Sequence, residues 1–354
     1  MKDFLTRYDG GHTVTMRLSL ASALSDRPEA SRLVKYFYER TNAMTDQPFC
    51  GVLAPVLTPF AADLSPDVGR FTAFCRWLLA QGADGLAVFG TTSEANSQSA
   101  DQRMTLLDSL IESGVPGDKL MPGTGACSID EAVRLNKHAV AHSCGGVLML
   151  PPFYYKGVSD DGLFAWFSEV VQRVGDDALK IYLYHIPPQT GTPFSLDLIG
   201  RLIKEYPNTI VGLKDSGGDW SNTKAILDAF PGFGTFAGSE VFLLDTLRGG
   251  GVGCITATGN VNPTGIRKVF ENWETPEADA LQAAITKTRK TIQARTLVPA
   301  LKAIISHYHS DPEWGRLMPP MVPLSAEETR GLIADLDADE GFSIAPATLE
   351  NAAE

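Results

Sequence analysis

From residue 51 onward, short apolar runs alternate with amphipathic stretches. The runs fall at 51–57, 84–90, 119–125, 146–151, 180–187, 210–215, 233–238 and 252–258. Each is followed by residues of helical periodicity, as at 66–81 and 195–206. Several runs are apolar on both parities, as in Lys180-Ile181-Tyr182-Leu183-Tyr184-His185-Ile186. That pattern suits parallel strands covered on both faces rather than a sheet with one wet face. Helix starts carry caps: Ser128 has Glu131 three residues on, and Ser195 precedes Leu196. Eight strand-helix units predict an α/β fold, a (β/α)8 TIM barrel over 44–275, rather than an open sheet. Helical periodicity at 276–295, 298–309 and 325–338 predicts a short C-terminal helical region within 276–354, packed beside the barrel. Residues 1–43 lack the strand pattern and precede Met44. They read as an accessory extension or as sequence upstream of a start at Met44.

Composition narrows the function. The 354 residues are 44% hydrophobic and carry a net charge of −12, and the mean hydropathy is close to zero. A large core is therefore expected, and an acidic chain disfavours a nucleic-acid or membrane partner. No apolar run approaches the roughly 20 residues that cross a bilayer. The five cysteines, Cys50, Cys75, Cys127, Cys144 and Cys254, are odd in number and form no C-x-x-C pair. Reduced thiols in a cytoplasm are the expectation.

The chemistry begins at Lys214, in the run Ile210-Val211-Gly212-Leu213-Lys214-Asp215. On a buried strand its side chain shares a face with Gly212 and Ile210, where an unpaired ammonium is costly. A neutral amine in such a place is what attack on a carbonyl requires. The plainer alternative is a strand-end lysine that reaches solvent or pairs with Asp215. Barrel chemistry sits at the carboxyl ends of the strands, and three further segments place reactive groups there. Gly90-Thr91-Thr92-Ser93-Glu94 offers hydroxyls and closely spaced backbone N–H groups suited to a carboxylate, or a plain helix cap. Pro151-Pro152-Phe153-Tyr154-Tyr155 puts two phenols at a loop start. Tyr184 is the outermost inward phenol of its strand, and a tyrosine there is more often core.

GTTSE at 90–94, YHIPPQTG at 184–191, IVGLKDS at 210–216, FAGSE at 236–240 and GGVGCITATGNVNP at 250–263 occur in order. With these motifs the chain resembles the dihydrodipicolinate synthase and N-acetylneuraminate lyase superfamily over roughly 50–340. The resemblance implies an imine between Lys214 and pyruvate, with Tyr184 relaying protons. It implies that Thr91 and Thr92 hold the carboxylate and join the relay, while Gly238 and Ile255 line the pocket. It further implies a small-molecule enzyme without cofactor or metal, and a homotetramer in which Tyr154, or its neighbour Tyr155, reaches a partner's site. A protonated imine is an electron sink, and a phenol beside it is a usable base, so a carbon-carbon bond can be made or broken.

One position departs from the lysine-biosynthetic members. Gln189 stands where they carry an arginine that forks onto the acceptor's carboxylate, and a neutral amide cannot replace that pair. A sugar-acid or hydroxy-keto-acid aldehyde is the expected acceptor, with Lys156 an alternative source of charge. A true 4-hydroxy-tetrahydrodipicolinate synthase and a non-catalytic keto-acid-binding barrel are the competing functions. Other patterns carry less. Gly123-Thr124-Gly125 begins like a dinucleotide loop but has Ser128 where a third glycine belongs. His138 with His142, and His307 with His309, read as solvated or core histidines because no carboxylate-rich motif accompanies them.

Overall fold

The computed structural model describes residues 49–346, so the 1–43 extension lies outside the described residues. Seven strands form one parallel sheet: β1 Gly51–Ala54, β2 Gly85–Leu86, β3 Val147–Met149, β4 Ile181–His185, β5 Ile210–Asp215, β6 Gly234–Ala237 and β7 Gly253–Ile255, in the order β2-β1-β7-β6-β5-β4-β3. The eighth stave, expected at 119–125, joins the ring by two bridges only, Leu86 with Leu120 and Gly123 with Leu148. Its hydrogen bonds nevertheless run to both sides, from Met121 N–H to the Leu86 carbonyl and from Leu148 N–H to the Pro122 carbonyl. Pro122 has no N–H to donate, which interrupts a regular ladder. The ring is thus a barrel with one weakly paired stave.

Helices such as Val68–Ala80, Ala100–Glu112, Ile129–Ala141 and Asp160–Val174 cover it outside. The expected caps form: Ser128 Oγ accepts from Glu131 N–H and Ser195 Oγ from Leu198 N–H. The C-terminal helices lie at Ala278–Gln293, Leu297–Tyr308 and Ala326–Asp337. They pack their buried Ile292, Leu301, Ile304 and Leu332 against Phe71, Phe74, Leu78 and Leu106 of the first two outer helices.

Inside the barrel, glycines make room for large neighbours. A Cβ on Gly212 would sit 2.3 Å from the ring of Tyr182, which is fully buried and opposite it in register. The glycines of the dinucleotide-like segment are likewise spacers. A Cβ on Gly123 would lie 2.1 Å from the Phe89 carbonyl oxygen, and one on Gly125 2.4 Å from Leu150 N. Among the described residues, no helix is long and apolar enough to cross a membrane.

Candidate active site

Lys214 and Tyr184 are the penultimate residues of β5 and β4 and face each other in register. Both are 4% exposed. Because Gly212 and Tyr182 form the pair below them, one layer of the interior is filled by a ring and the next holds the amine and the phenol. Lys214 Nζ donates to Tyr184 Oη at 3.3 Å and lies 4.4 Å from the ring centroid. Tyr184 Oη in turn lies 3.3 Å from Thr91 Oγ1. Three polar side chains from three staves are therefore strung together at the carboxyl end of the barrel.

Asp215 is not the partner of Lys214. Its carboxylate, on the other face of β5, accepts from Gly217 N–H, Thr223 Oγ1 and Asn222 Nδ2 at 2.7–2.9 Å. His185 Nε2 stands 4.0 Å from it, while His185 Nδ1 accepts the Phe194 N–H. Burial pulls the His185 imidazole down from its ordinary range, and the Asp215 charge opposes that.

The turn after β2 is held by unusual backbone. Phe89 and Glu94 flank it at φ 61° and 57°, in the left-handed region that non-glycine residues seldom adopt. Ser93 Oγ accepts Gly90 N–H and donates to the Val56 carbonyl. Glu94 is fully buried and ion-paired to Lys302 Nζ at 2.5 Å, and it accepts Met318 N–H at 2.7 Å. Burial pulls the Lys302 ammonium down, with Glu94 opposing. The turn that presents Thr91 is thereby anchored to the C-terminal helices. Thr91 places its hydroxyl on Tyr184, whereas Thr92 is buried beside it.

A small cleft, open to solvent, is lined by Phe89, Gly90, Thr91, Arg103, Leu150 and Tyr184 among others. Arg103 is 6% exposed, and its Nε has no hydrogen-bond partner among the described residues. Burial pulls its guanidinium down and Glu131 opposes. Sequence reasoning missed Arg103, although an arginine among the apolar positions of an amphipathic helix is the signal that could have found it.

The other expected site residues are less convergent. Gln189 sits exposed on the single helical turn Pro187–Thr190. Lys156 bridges two loops, donating to the carbonyls of Phe153 and Thr190. Tyr154 and Tyr155 are 73% and 74% exposed, their rings 5.2 Å apart and edge to face. Gly238 brings β6 against the end of β5, donating its N–H to the Asp215 carbonyl at 2.7 Å. Ile255 ends β7 and is fully buried.

The pair His307 and His309 is as expected, and the pair His138 and His142 departs from expectation in detail. His309 packs edge-on against Trp77 at 4.8 Å, a core position. His138 and His142 do have a carboxylate partner, Asp108, from the preceding outer helix.

The sequence profile described as the dihydrodipicolinate synthetase family matches residues 48–339. An uncharacterized DapA-like lyase from Chloroflexus aurantiacus is 32% identical over 286 residues, covering 80% of this chain and 95% of that protein. A probable 2-dehydro-3-deoxy-D-pentonate aldolase from Escherichia coli is 30% identical, covering 72% and 82%. Among solved structures, dihydrodipicolinate synthase from Agrobacterium tumefaciens shares 32% identity with a TM-score of 0.78, covering 82% of this chain and 100% of that one. A prophage protein of the dihydrodipicolinic acid synthase family from Escherichia coli, solved in complex with pyruvate, shares 26% with a TM-score of 0.74, covering 82% and 98%.

Proposed function

Because this chain belongs to the dihydrodipicolinate synthetase family, and is an enzyme of the lyase and aldolase type, we propose that it acts through an imine between Lys214 and pyruvate. The contacts Lys214 Nζ to Tyr184 Oη to Thr91 Oγ1, each 3.3 Å, carry that function. Neutral Nζ attacks the keto carbon, the carbinolamine loses water, and the resulting iminium accepts the electron pair released when a bond at the adjacent carbon breaks. Tyr184 takes and returns the protons these steps need, with Thr91 as the next hydroxyl along the relay. The Thr91-Thr92 turn holds the keto acid's carboxylate, drawn in by Arg103, the cation among the cleft-lining residues.

The acceptor in this proposal is an aldehyde without a second charged group to be forked, of the sugar-acid or hydroxy-keto-acid kind. Gln189 offers an exposed neutral amide on the turn that follows β4, and Lys156 is already committed to two backbone carbonyls. The relative described as a probable 2-dehydro-3-deoxy-D-pentonate aldolase acts, by its name, on a hydroxy-keto acid, whose cleavage next to the keto carbon's neighbour yields pyruvate and an uncharged aldehyde. Assembly as a homotetramer fits the exposed Tyr154 and Tyr155, and the five free thiols fit a reducing cytoplasm.

Incubation with pyruvate and borohydride should add one reduced pyruvoyl group at Lys214, with or without a chelator. Peptide mass spectrometry that finds Lys214 unmodified would overturn the imine function.

A further inference from the structure

We propose that Asp108, His138 and His142 form a site for a divalent transition cation of the zinc type on the outer wall of the barrel. His138 lies in the last turn of helix Ile129–Ala141, and His142 is its C-cap, donating its N–H to the His138 carbonyl. Four residues apart, the two imidazoles share one helix face. Asp108 comes from the neighbouring helix Ala100–Glu112. Its Oδ1 lies 2.8 Å from His138 Nε2 and 2.7 Å from His142 Nε2. All three ligand atoms fall within 4.8 Å of one another. The side chains of His138, His142 and Asp108 are 15%, 27% and 44% exposed, so an ion could enter from solvent while the imidazoles stay held.

Two imidazole nitrogens and one carboxylate oxygen, with solvent in the fourth place, form a donor set that zinc takes. As they stand, the two rings share Oδ1 as a hydrogen-bond acceptor. Zinc at roughly 2.0–2.2 Å from each donor needs them about 3.3 Å apart. Side-chain rotations that lengthen the two carboxylate contacts by about half an ångström, and bring the imidazole nitrogens, now within 4.8 Å of each other, to the same spacing, seat the ion. Each Nε2 gives its proton to solvent or, by tautomerisation, to Nδ1. Simple charge pairing along the same seam is done differently. Nearer the start of both helices, Asp101 meets a single guanidinium, that of Arg134.

The site's place in the fold suggests its role. Outer helices of a barrel run antiparallel to the strands, so their C-terminal ends lie at the strand starts, opposite the end that carries Lys214. The two helices flank the 120–123 stave, which joins the ring through two bridges only. An ion here would tie together the helices before and after the least-paired part of the barrel and take no part in the carbon chemistry.

The test uses tag-free, chelator-stripped full-length protein, with the exposed thiols of Cys50 and Cys127 blocked. One equivalent of Co2+ should give the visible absorption of a four-coordinate nitrogen and oxygen site, and Zn2+ should displace it. Asp108→Asn and His142→Gln should each weaken Zn2+ affinity in calorimetry by roughly tenfold or more. In the unsubstituted protein, Zn2+ should protect His138 and His142 from diethylpyrocarbonate, read by peptide mass spectrometry. That readout decides the matter even if a variant fails to fold. Absence of a bound equivalent, unchanged affinity in both variants, or unprotected histidines at saturating Zn2+ would each overturn the site.

Discussion

Tyr184→Phe removes one oxygen atom and little else. The ring keeps its place in the interior and its 4.4 Å approach to Lys214 Nζ. Two hydrogen bonds go with the oxygen, those of Oη to Nζ and to Thr91 Oγ1, each 3.3 Å. At about 0.5–1.5 kcal/mol each, and partly offset by burying a less polar ring, their removal should cost no more than about 2 kcal/mol of stability. The variant should therefore fold. Turnover should fall much further, because a positioned general acid-base group contributes roughly 10²–10⁴-fold. That corresponds to about 3–5.5 kcal/mol of barrier. The gap between the two figures separates catalysis from packing.

The assay needs no knowledge of the acceptor. A lysine imine of pyruvate loses and regains methyl protons, so NMR in D2O should show the methyl signal disappearing at a rate set by the relay. Tyr184→Phe should slow that exchange by at least two of the expected orders, while borohydride trapping given hours to equilibrate still labels Lys214. Exchange within about threefold of the unsubstituted enzyme would return Tyr184 to a packing role, whatever its distance from the amine.

Three further outcomes rest on particular side chains. Gln189→Arg should raise condensation of pyruvate with aspartate semialdehyde by about one to two orders of magnitude, the worth of a charge-assisted hydrogen bond of roughly 1.5–3 kcal/mol; efficient synthesis by the unsubstituted enzyme in a coupled assay would place another group in that role. Lys302→Met leaves the fully buried Glu94 without its cation and should cost about 3–5 kcal/mol in urea denaturation, with much of it recovered by adding Glu94→Gln; an additive double variant would contradict the pairing. Burial lowers His309 to about 4 from the ordinary 6.5, so the folded state binds fewer protons than the unfolded chain between those values. Stability should therefore be fully present above pH 6.5 and decline as pH falls towards 4, and His309→Phe should flatten that limb of the urea midpoint against pH.

How much of this was legible in the sequence depends on whether the controlling interaction is local. β5 and its lysine were legible because alternation fixes which side chains share a face, and Gly212 two residues before Lys214 marks a crowded interior. The stave at 119–125 was legible as an apolar run but not as a poorly paired one, since Pro122 acts through a donor missing from the ladder. Thr91 and Thr92 are adjacent and chemically alike, so pattern cannot say which hydroxyl reaches Tyr184. That depends on the left-handed backbone of Phe89 and Glu94. Asp108 was invisible as a partner of His138 and His142 because it comes from another helix, 30 and 34 residues away.

The C-terminal helices illustrate the same limit and explain why the site depends on them. Two rim motifs, GTTSE and FAGSE, end in glutamates that read as loop polarity. In the fold both are buried, and each faces a cation from beyond the barrel. Glu94 meets Lys302 at 2.5 Å, and Glu240 lies 3.7 Å from Arg289 while accepting the hydroxyls of Thr256 and Thr258. The only local trace of the first pair is a lysine inside the apolar run Leu297-Val298-Pro299-Ala300-Leu301-Lys302-Ala303-Ile304-Ile305, expensive there unless a carboxylate waits opposite. Buried pairs of this kind add little net stability, because desolvation cancels most of the attraction, but breaking one is costly. Their effect is to fix position: the turn that offers Thr91 to Tyr184, and the loop after β7 beside Ile255, are registered against helices that never touch the reacting atoms. A truncation before residue 297 should accordingly disorder the rim and abolish imine formation even if the strands still close, which borohydride trapping on the shortened chain would reveal.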